Sequence, residues 1–301
     1  MSVTIIIPVY NRKELVLRTL QSIPSSYPLI IVDNGSTDGS YELCRQWMLN
    51  SHRQNVRVER EFKRGAASAR NKGLSLCKTK WVYFFDSDDE FTSIPKSWNE
   101  DAEMICFPTV QVVNGKVQVR AYKTVDTPHT QILSSMLNTI STVYRTEWLR
   151  GIGGWNEDCL IWDDWELGIR ALMHRPKLQW KSEHAYHRVL IHGDSITGNS
   201  FSEQFEREMN TIAIVFDTLH DFKDDDIRHK ALFALFLRCY IFCGQLLNEG
   251  NKKASDDVET FIYDKFRVNK DSHKLGRLFR WYVSKGGRRA WRVALALVNK
   301  V

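Results

Sequence analysis

Three carboxylates stand within four residues at Asp86-Ser87-Asp88-Asp89, directly after the apolar run from Trp81 to Phe85. A buried strand that ends this way brings like charges within a few ångströms, and a divalent cation relieves that repulsion most simply. Oxygen-only ligands suit Mg2+ or Mn2+, whose remaining positions are filled by water and substrate phosphates. An acidic turn capping the next helix is the alternative. Upstream, Arg64-Gly65-Ala66-Ala67-Ser68-Ala69-Arg70-Asn71-Lys72-Gly73 interleaves small residues with cations. A glycine before a helix lets backbone N–H groups approach an anion, and Arg70 could reach phosphate oxygens from an early turn. The competing reading is a solvated basic helix face. Asp163-Asp164 opens a further helix, either as a capping pair or as a pair of catalytic acids, and the helix dipole is expected to lower their pKa values. Neither GxGxxG nor GxxxxGK[ST] occurs, so dinucleotide and P-loop chemistries have no fingerprint.

The elements that must position these groups follow from periodicity. Val3 to Val9 and Leu29 to Val32 are continuous apolar runs, the pattern of strands buried on both faces. Helices are expected at Lys13 to Ile23, Tyr41 to Leu49 and Ala66 to Leu76, and further strands at Val56 to Glu59 and Trp81 to Phe85. Strands alternating with helices imply an α/β fold with a mostly parallel sheet flanked by helices. In such sheets ligands bind at the carboxyl ends of the strands, where Asp33 and Asp86 to Asp89 fall. An antiparallel excursion is expected at Ile105 to Val113 and Lys116 to Tyr122, around Asn114-Gly115. A helical stretch around Ile132 to Leu137 and a short strand near Ser141 to Tyr144 come next. From Phe201 onward the periodicity is helical.

Taken together, Ile6-Ile7-Pro8-Val9-Tyr10-Asn11, Val32-Asp33-Asn34-Gly35-Ser36-Thr37-Asp38-Gly39-Ser40, Ala69-Arg70-Asn71-Lys72-Gly73 and Phe85-Asp86-Ser87-Asp88-Asp89 resemble, in order and spacing, the family 2 inverting nucleotide-sugar glycosyltransferases with the GT-A (Rossmann-like) fold. The likeness covers roughly residues 1–200. It implies that Pro8, Tyr10 and Asn11 line the base and ribose, that Asp33 accepts a hydrogen bond from uracil, and that Arg70 and Asn71 lie beside base and diphosphate. The family's DxD motif maps to Asp86, on the ribose side, and Asp88, on a Mn2+ or Mg2+ ion bridging the diphosphate, with Asp89 as rival to Asp88. Asn34 departs from the second Asp common in the family. Ile152-Gly153-Gly154-Trp155-Asn156-Glu157 and Trp162-Asp163-Asp164-Trp165 resemble the family's glycine-rich turn and acidic pair. That likeness makes Asp164 the base, with Asp163 in place of the usual Glu. Trp155, Trp162 and Trp165 would offer aromatic faces to sugar rings or pack in the core. His192 is the expected further metal or diphosphate ligand, with His184 and His187 as competitors.

The resemblance therefore implies a sugar transferase using a nucleotide-sugar donor, UDP-linked by expectation. It would act on a glycan or lipid-linked acceptor in cell-surface polysaccharide synthesis. A nucleotidyl- or phosphoryl-transferase on a related fold would not need Asp164; a nucleic-acid-binding protein would leave the ordered motifs unexplained, so no nucleic-acid partner is expected.

Composition sets the frame. The 301 residues are 43% hydrophobic and 26% charged, which excludes collagenous, coiled-coil and disordered classes. Net charge is +6, but residues 265–301 hold eleven basic groups and one acidic, leaving 31 basic and 35 acidic in the rest. The expected division is a catalytic domain at 1–200, a helical extension at 201–264 and a basic amphipathic tail at 265–301. Leu275, Leu278, Phe279 and Tyr282 form the tail's apolar stripe before a break at Gly286-Gly287. A basic helix of this kind suits an anionic membrane surface; packing on the domain is the alternative. Six cysteines without CxxC spacing, and an opening that runs straight into an apolar strand without a signal peptide, are expected of a reducing cytoplasm, with a possible peripheral seat on the inner membrane face. Cys239 and Cys243, one helical turn apart, are expected as buried thiols. The longest apolar segment, Ala231 to Cys243, is shorter than a bilayer span.

Overall fold

The structure is a computed structural model that describes residues 2–113, 116–119, 124–183, 185–189 and 200–300. The chain divides into two compact units. One comprises Met1–Thr124, Met136–Leu167 and His174–Gly193, the other Val125–Ser135, Gly168–Met173 and Asp194–Val301.

The first unit begins with alternating β1 (Val3–Val9), α1 (Val16–Ser22), β2 (Leu29–Asp33), α2 (Ser40–Asn50), β3 (Val56–Arg60), α3 (Ala66–Leu76) and β4 (Trp81–Phe84). β5 (Asp89–Ser93), β6 (Met104–Cys106), β7 (Thr109–Val113) and β8 (Lys116–Val119) follow. After α4 (Pro128–Ser134) of the second unit come β9 (Thr142–Arg145), α5 (Thr146–Gly151), α6 (Asp163–Met173), β10 (Leu178–Trp180) and β11 (Ala185–Val189). Seven strands form the central sheet in the order β10-β6-β9-β4-β1-β2-β3, and only β9 runs antiparallel to its neighbours. This is the mostly parallel α/β architecture the sequence predicts. Every residue of β1 and β2 is buried, as strands covered by helices on both faces require. Gly73 lets α3 approach β1, since a Cβ there would stand 2.4 Å from Ile6 Cγ2.

Three expectations shift. Ile105 to Val113 is not one strand: it breaks at Phe107-Pro108, because proline cannot donate to a ladder. Met104–Cys106 stays in the central sheet, whereas Thr109–Val113 joins a second sheet of order β5-β11-β7-β8. The Asn114-Gly115 tip and Tyr122 lie outside the described residues. The first helix starts at Val16, not Lys13, because the Lys13 amide donates to Asp38 Oδ2 (2.9 Å). α4 occupies Pro128–Ser134 and stops at Ser135, whose φ of 48° is left-handed, leaving Leu137 outside it.

The second unit is helical: α4, α7 (Phe201–His220), α8 (Asp225–Asn248), α9 (Lys252–Lys265), α10 (Lys270–Ser284) and α11 (Ala290–Val298). α8 is apolar around its circumference and, at 24 residues, long enough by length and composition to cross a bilayer. That corrects the shorter span read from sequence. Here it is the unit's core helix, with Leu235, Phe236, Leu237, Tyr240, Phe242 and Leu246 buried. Cys239 and Cys243 are buried thiols; burial raises both, Cys243 to about 12. α10 packs closely on α8, with Gly276 against the Tyr240 ring and Gly244 against Val283. The buried stripe of α10 is therefore Gly276, Phe279 and Val283, not Leu275, Leu278, Phe279 and Tyr282. Leu278 and Tyr282 are exposed instead.

Candidate active site

The site is built at the carboxyl ends of β1, β2 and β4 and the start of α6, all within the first unit. Pro8 is buried in β1 and Tyr10, in the loop after it, is exposed. Asn11 adopts a left-handed φ of 49°. Its N–H donates to Ser36 Oγ (3.0 Å) and its Oδ1 accepts from Thr37 N–H (2.9 Å), which knits the loops after β1 and β2 together. Asp33 is fully buried at the end of β2; Oδ2 faces Arg60 at 3.4 Å, while Oδ1 is buried without a hydrogen-bond partner among the described residues. A buried carboxylate oxygen left this way is what a ligand donor, such as a base N–H, would satisfy.

Asn34 explains its departure from the family pattern. Its amide donates to the carbonyls of Glu61 (3.1 Å) and Lys63 (2.7 Å), and its Oδ1 accepts from Gly65 N–H (2.8 Å). One side chain thus fixes the loop that leads into α3. Aspartate keeps only the acceptor and sets a charge against two carbonyls, so Asn34→Asp is expected to cost about 2–4 kcal/mol, checked by urea unfolding.

Arg70, 5% exposed in the first half of α3, is the hub. Its guanidinium reaches Asp86 Oδ1 at 3.0 Å and Asp163 Oδ2 at 2.5 Å, and lies 4.4 Å from the centroid of the Trp155 ring. Burial opposes its charge, but Asp163, Asp86 and Asp164 outweigh burial and raise its pKa. Burial raises Asp86, with Arg70 pulling it down and Asp88 pushing it up. Asn71 stands beside Arg70 but faces the glycine-rich turn. It donates to Trp155 O and Glu157 Oε1 (both 2.8 Å) and accepts from Trp155 N–H (2.9 Å). A Cβ on Gly154, at φ 66°, would lie 2.6 Å from Asn71 Oδ1.

Asp163 and Asp164 share the first turn of α6 but not an environment. Asp163 Oδ1 accepts from the Asp164 N–H (3.0 Å) while its Oδ2 is spent on Arg70. Asp164 accepts from Thr139 N–H (3.2 Å), and its pKa is pushed up to about 6 by burial first and by Asp163 second, against Arg70. The lowering expected from the helix dipole is thus overridden. Trp155 and Trp165 are buried, and Trp162 is half-buried with a strained φ of 55° immediately before the acidic pair.

The remaining carboxylates diverge. Asp88 faces Arg12 at 3.4 Å, and Asp89, the first residue of β5, faces His187 Nε2 at 3.7 Å. Asp89 and His187, the competitors of Asp88 and His192, are therefore neighbours; His192 and His184 lie outside the described residues. Among the described residues no three metal-ligating side chains converge. The donor set fits an ion held by one carboxylate together with donor phosphates, not a protein-only cage. Arg12 and Thr19 were not legible in sequence. Thr19 Oγ1 lies within donating distance of the Ser87 (3.0 Å) and Asp89 (2.7 Å) carbonyls, so α1 holds the acidic loop from beneath. No local pattern marks a threonine on an apolar helix face for that task.

The family model for glycosyl transferase family 2 matches residues 4–155, half of the chain. Glycosyltransferase GlyG of Streptococcus pneumoniae is 36% identical over 91 residues, 29% of this chain and 30% of the relative. The putative teichuronic acid biosynthesis glycosyltransferase TuaG of Bacillus subtilis is 39% identical over 93 residues, 30% of this chain and 36% of the relative. The matched stretch thus spans about a third of these relatives' lengths. S. aureus TarS 1-349 in complex with UDP-GlcNAc superposes with a TM-score of 0.68 at 16% identity, over 98% of this chain and 90% of that one. A mannosyltransferase from Pyrobaculum calidifontis in complex with GDP-Man and Mn2+ gives 0.57 at 15% identity, over 99% of this chain and 86% of that one. These likenesses show the fold, which is GT-A.

Proposed function

The chain belongs to glycosyl transferase family 2, and from that membership we propose that it transfers a sugar, with inversion, from a nucleotide-diphosphate donor to a glycan or lipid-linked acceptor. The observation that carries this reading is the unequal acidic pair: Asp163 is neutralised by Arg70, while Asp164 is held at about 6. A carboxylate so raised is ionised at neutral pH yet more basic than an ordinary one, as a general base requires. In a single in-line displacement the acceptor oxygen attacks the anomeric carbon, its proton passes to Asp164, and the bond to the diphosphate breaks with its electron pair. A Mn2+ or Mg2+ ion held by Asp88 would neutralise the charge developing on the leaving diphosphate. Asp33, with Pro8, Tyr10 and Asn11, would seat base and ribose, and Asp86 would take the ribose side. Asn71 would act by fixing the Trp155 turn beneath Arg70.

UDP is the proposed nucleotide because the TarS fragment, similar over nearly the whole chain, is in complex with UDP-GlcNAc. Cell-surface polysaccharide is the proposed destination because similar relatives are named for teichuronic and minor teichoic acid biosynthesis. A cytoplasmic setting agrees with six cysteines that are all buried and in no disulfide among the described residues.

Thermal-shift measurements against UDP- and GDP-sugars, with and without Mn2+, test the donor. One nucleotide sugar is expected to raise the melting temperature only when metal is present, and Asp88→Ala to abolish that rise, since a ligand stabilises by its occupancy free energy. No shift with any nucleotide sugar and metal overturns the reading. An Asp164→Asn variant that still turns over the donor favours nucleotidyl or phosphoryl transfer instead.

A further inference from the structure

We propose that the outward face of α10, in the second unit, docks on an anionic lipid bilayer. Gly276, Phe279 and Val283 are spent on α8. Lys274, Leu278, Trp281 and Lys285, spaced four, three and four residues apart, share the opposite face. Leu278 is 58% and Trp281 59% exposed, with Tyr282 beside them at 43%. Two large apolar side chains in adjacent turns of a solvated helix forfeit burial that a hydrocarbon boundary would restore, and Trp is at home at headgroup depth.

The charges around them match. Three cations of α10 are paired within the unit: Arg280 with Asp256 and Glu259, Arg277 with Glu259, and Lys274 with Asp271. Lys270, Lys285, Arg288, Arg289, Arg292 and Lys300 have no ion-pair partner among the described residues. A dissolved polyanion would engage such cations but gain nothing from Leu278 and Trp281. The combination of outward cations and outward apolar groups selects a surface with an anionic face and an apolar interior. The inference rests on the second unit alone and stands whether or not the first transfers sugar.

Sedimentation of the full chain with phosphatidylcholine vesicles, with and without about 30 mol% phosphatidylglycerol, tests it. Binding is expected only to the anionic vesicles. Leu278→Ser/Trp281→Ser should weaken it at least about tenfold, and Lys285→Gln/Arg288→Gln/Arg289→Gln by about fivefold per charge. Both variants should melt as the parent does, because the altered side chains are exposed. Absence of binding overturns the proposal. So does binding that salt erases and Leu278→Ser/Trp281→Ser leaves intact, the mark of a polyanion site. Light scattering that shows a dimer broken by the apolar variant, with vesicle binding unchanged, assigns the face to a second copy and equally overturns it.

Discussion

Asp164→Asn is expected to lower glycosyl transfer by about 10²–10⁴-fold, the usual contribution of a positioned base. Asn is nearly isosteric and its Oδ1 can still accept from Thr139 N–H, so donor affinity should stay within about twofold. Loss of rate with retained binding is the signature of an interaction made in the transition state. The parent's rate should rise with pH through about 6, where Asp164 ionises, and level above it. A divalent cation beside the site would move that midpoint lower. Asp163→Asn should move it lower as well, because the like charge is gone and Arg70 is released toward Asp164. Stability carries the opposite sign. A carboxyl whose folded pKa lies above its unfolded value opposes folding increasingly as pH rises from about 4 to about 6. The inactive Asp164→Asn variant should therefore melt at or above the parent at pH 7. A transfer rate that survives the substitution removes Asp164 from the base role.

Arg70→Met is expected to destabilise the first unit by about 3–5 kcal/mol. The guanidinium is buried and pairs with Asp86 and Asp163 at once, with Asp164 close by. Removing it leaves three crowded carboxylates and no counter-charge. Asp86 and Asp164, already raised, then rise further, so the deficit should be largest at neutral pH and shrink as pH falls toward about 4, where the unfolded chain also protonates. Urea unfolding across that range measures it. Arg70→Lys should recover only part, since an ammonium lacks the fork that spans two carboxylates. Adding Asp163→Asn to Arg70→Met should recover more, because it removes one of the charges that lost its partner. A loss that is flat with pH and not relieved by Asp163→Asn would mean that Arg70 serves by packing on Trp155 alone.

Much of the fold was legible because its signals are local. A strand covered on both faces must be apolar throughout, so β1, β2 and β4 announce themselves. Parallel pairing then follows from the helices between them, and ligand binding at strand ends locates Asp33 and Asp86 to Asp89. The misread elements are those where a single residue overrides periodicity. Pro108 splits a strand between two sheets, and Ser135 closes a helix before its apolar pattern ends. In α10, periodicity could not tell which of two apolar stripes is inward. That depended on Gly276, whose missing Cβ admits the Tyr240 ring of α8.

The sequence by itself determined the alternating scaffold, the order of its motifs and the carboxylates at its strand ends, since these depend on residues near one another along the chain. Only the tertiary structure decided which carboxylates meet a buried cation. Arg70 lies 16 residues from Asp86 and 93 from Asp163, yet one guanidinium pairs with both, while burial and Asp163 push Asp164 up to about 6. The distinction between the two adjacent aspartates is a matter of distance to a buried cation and to water, and the fold alone sets those distances.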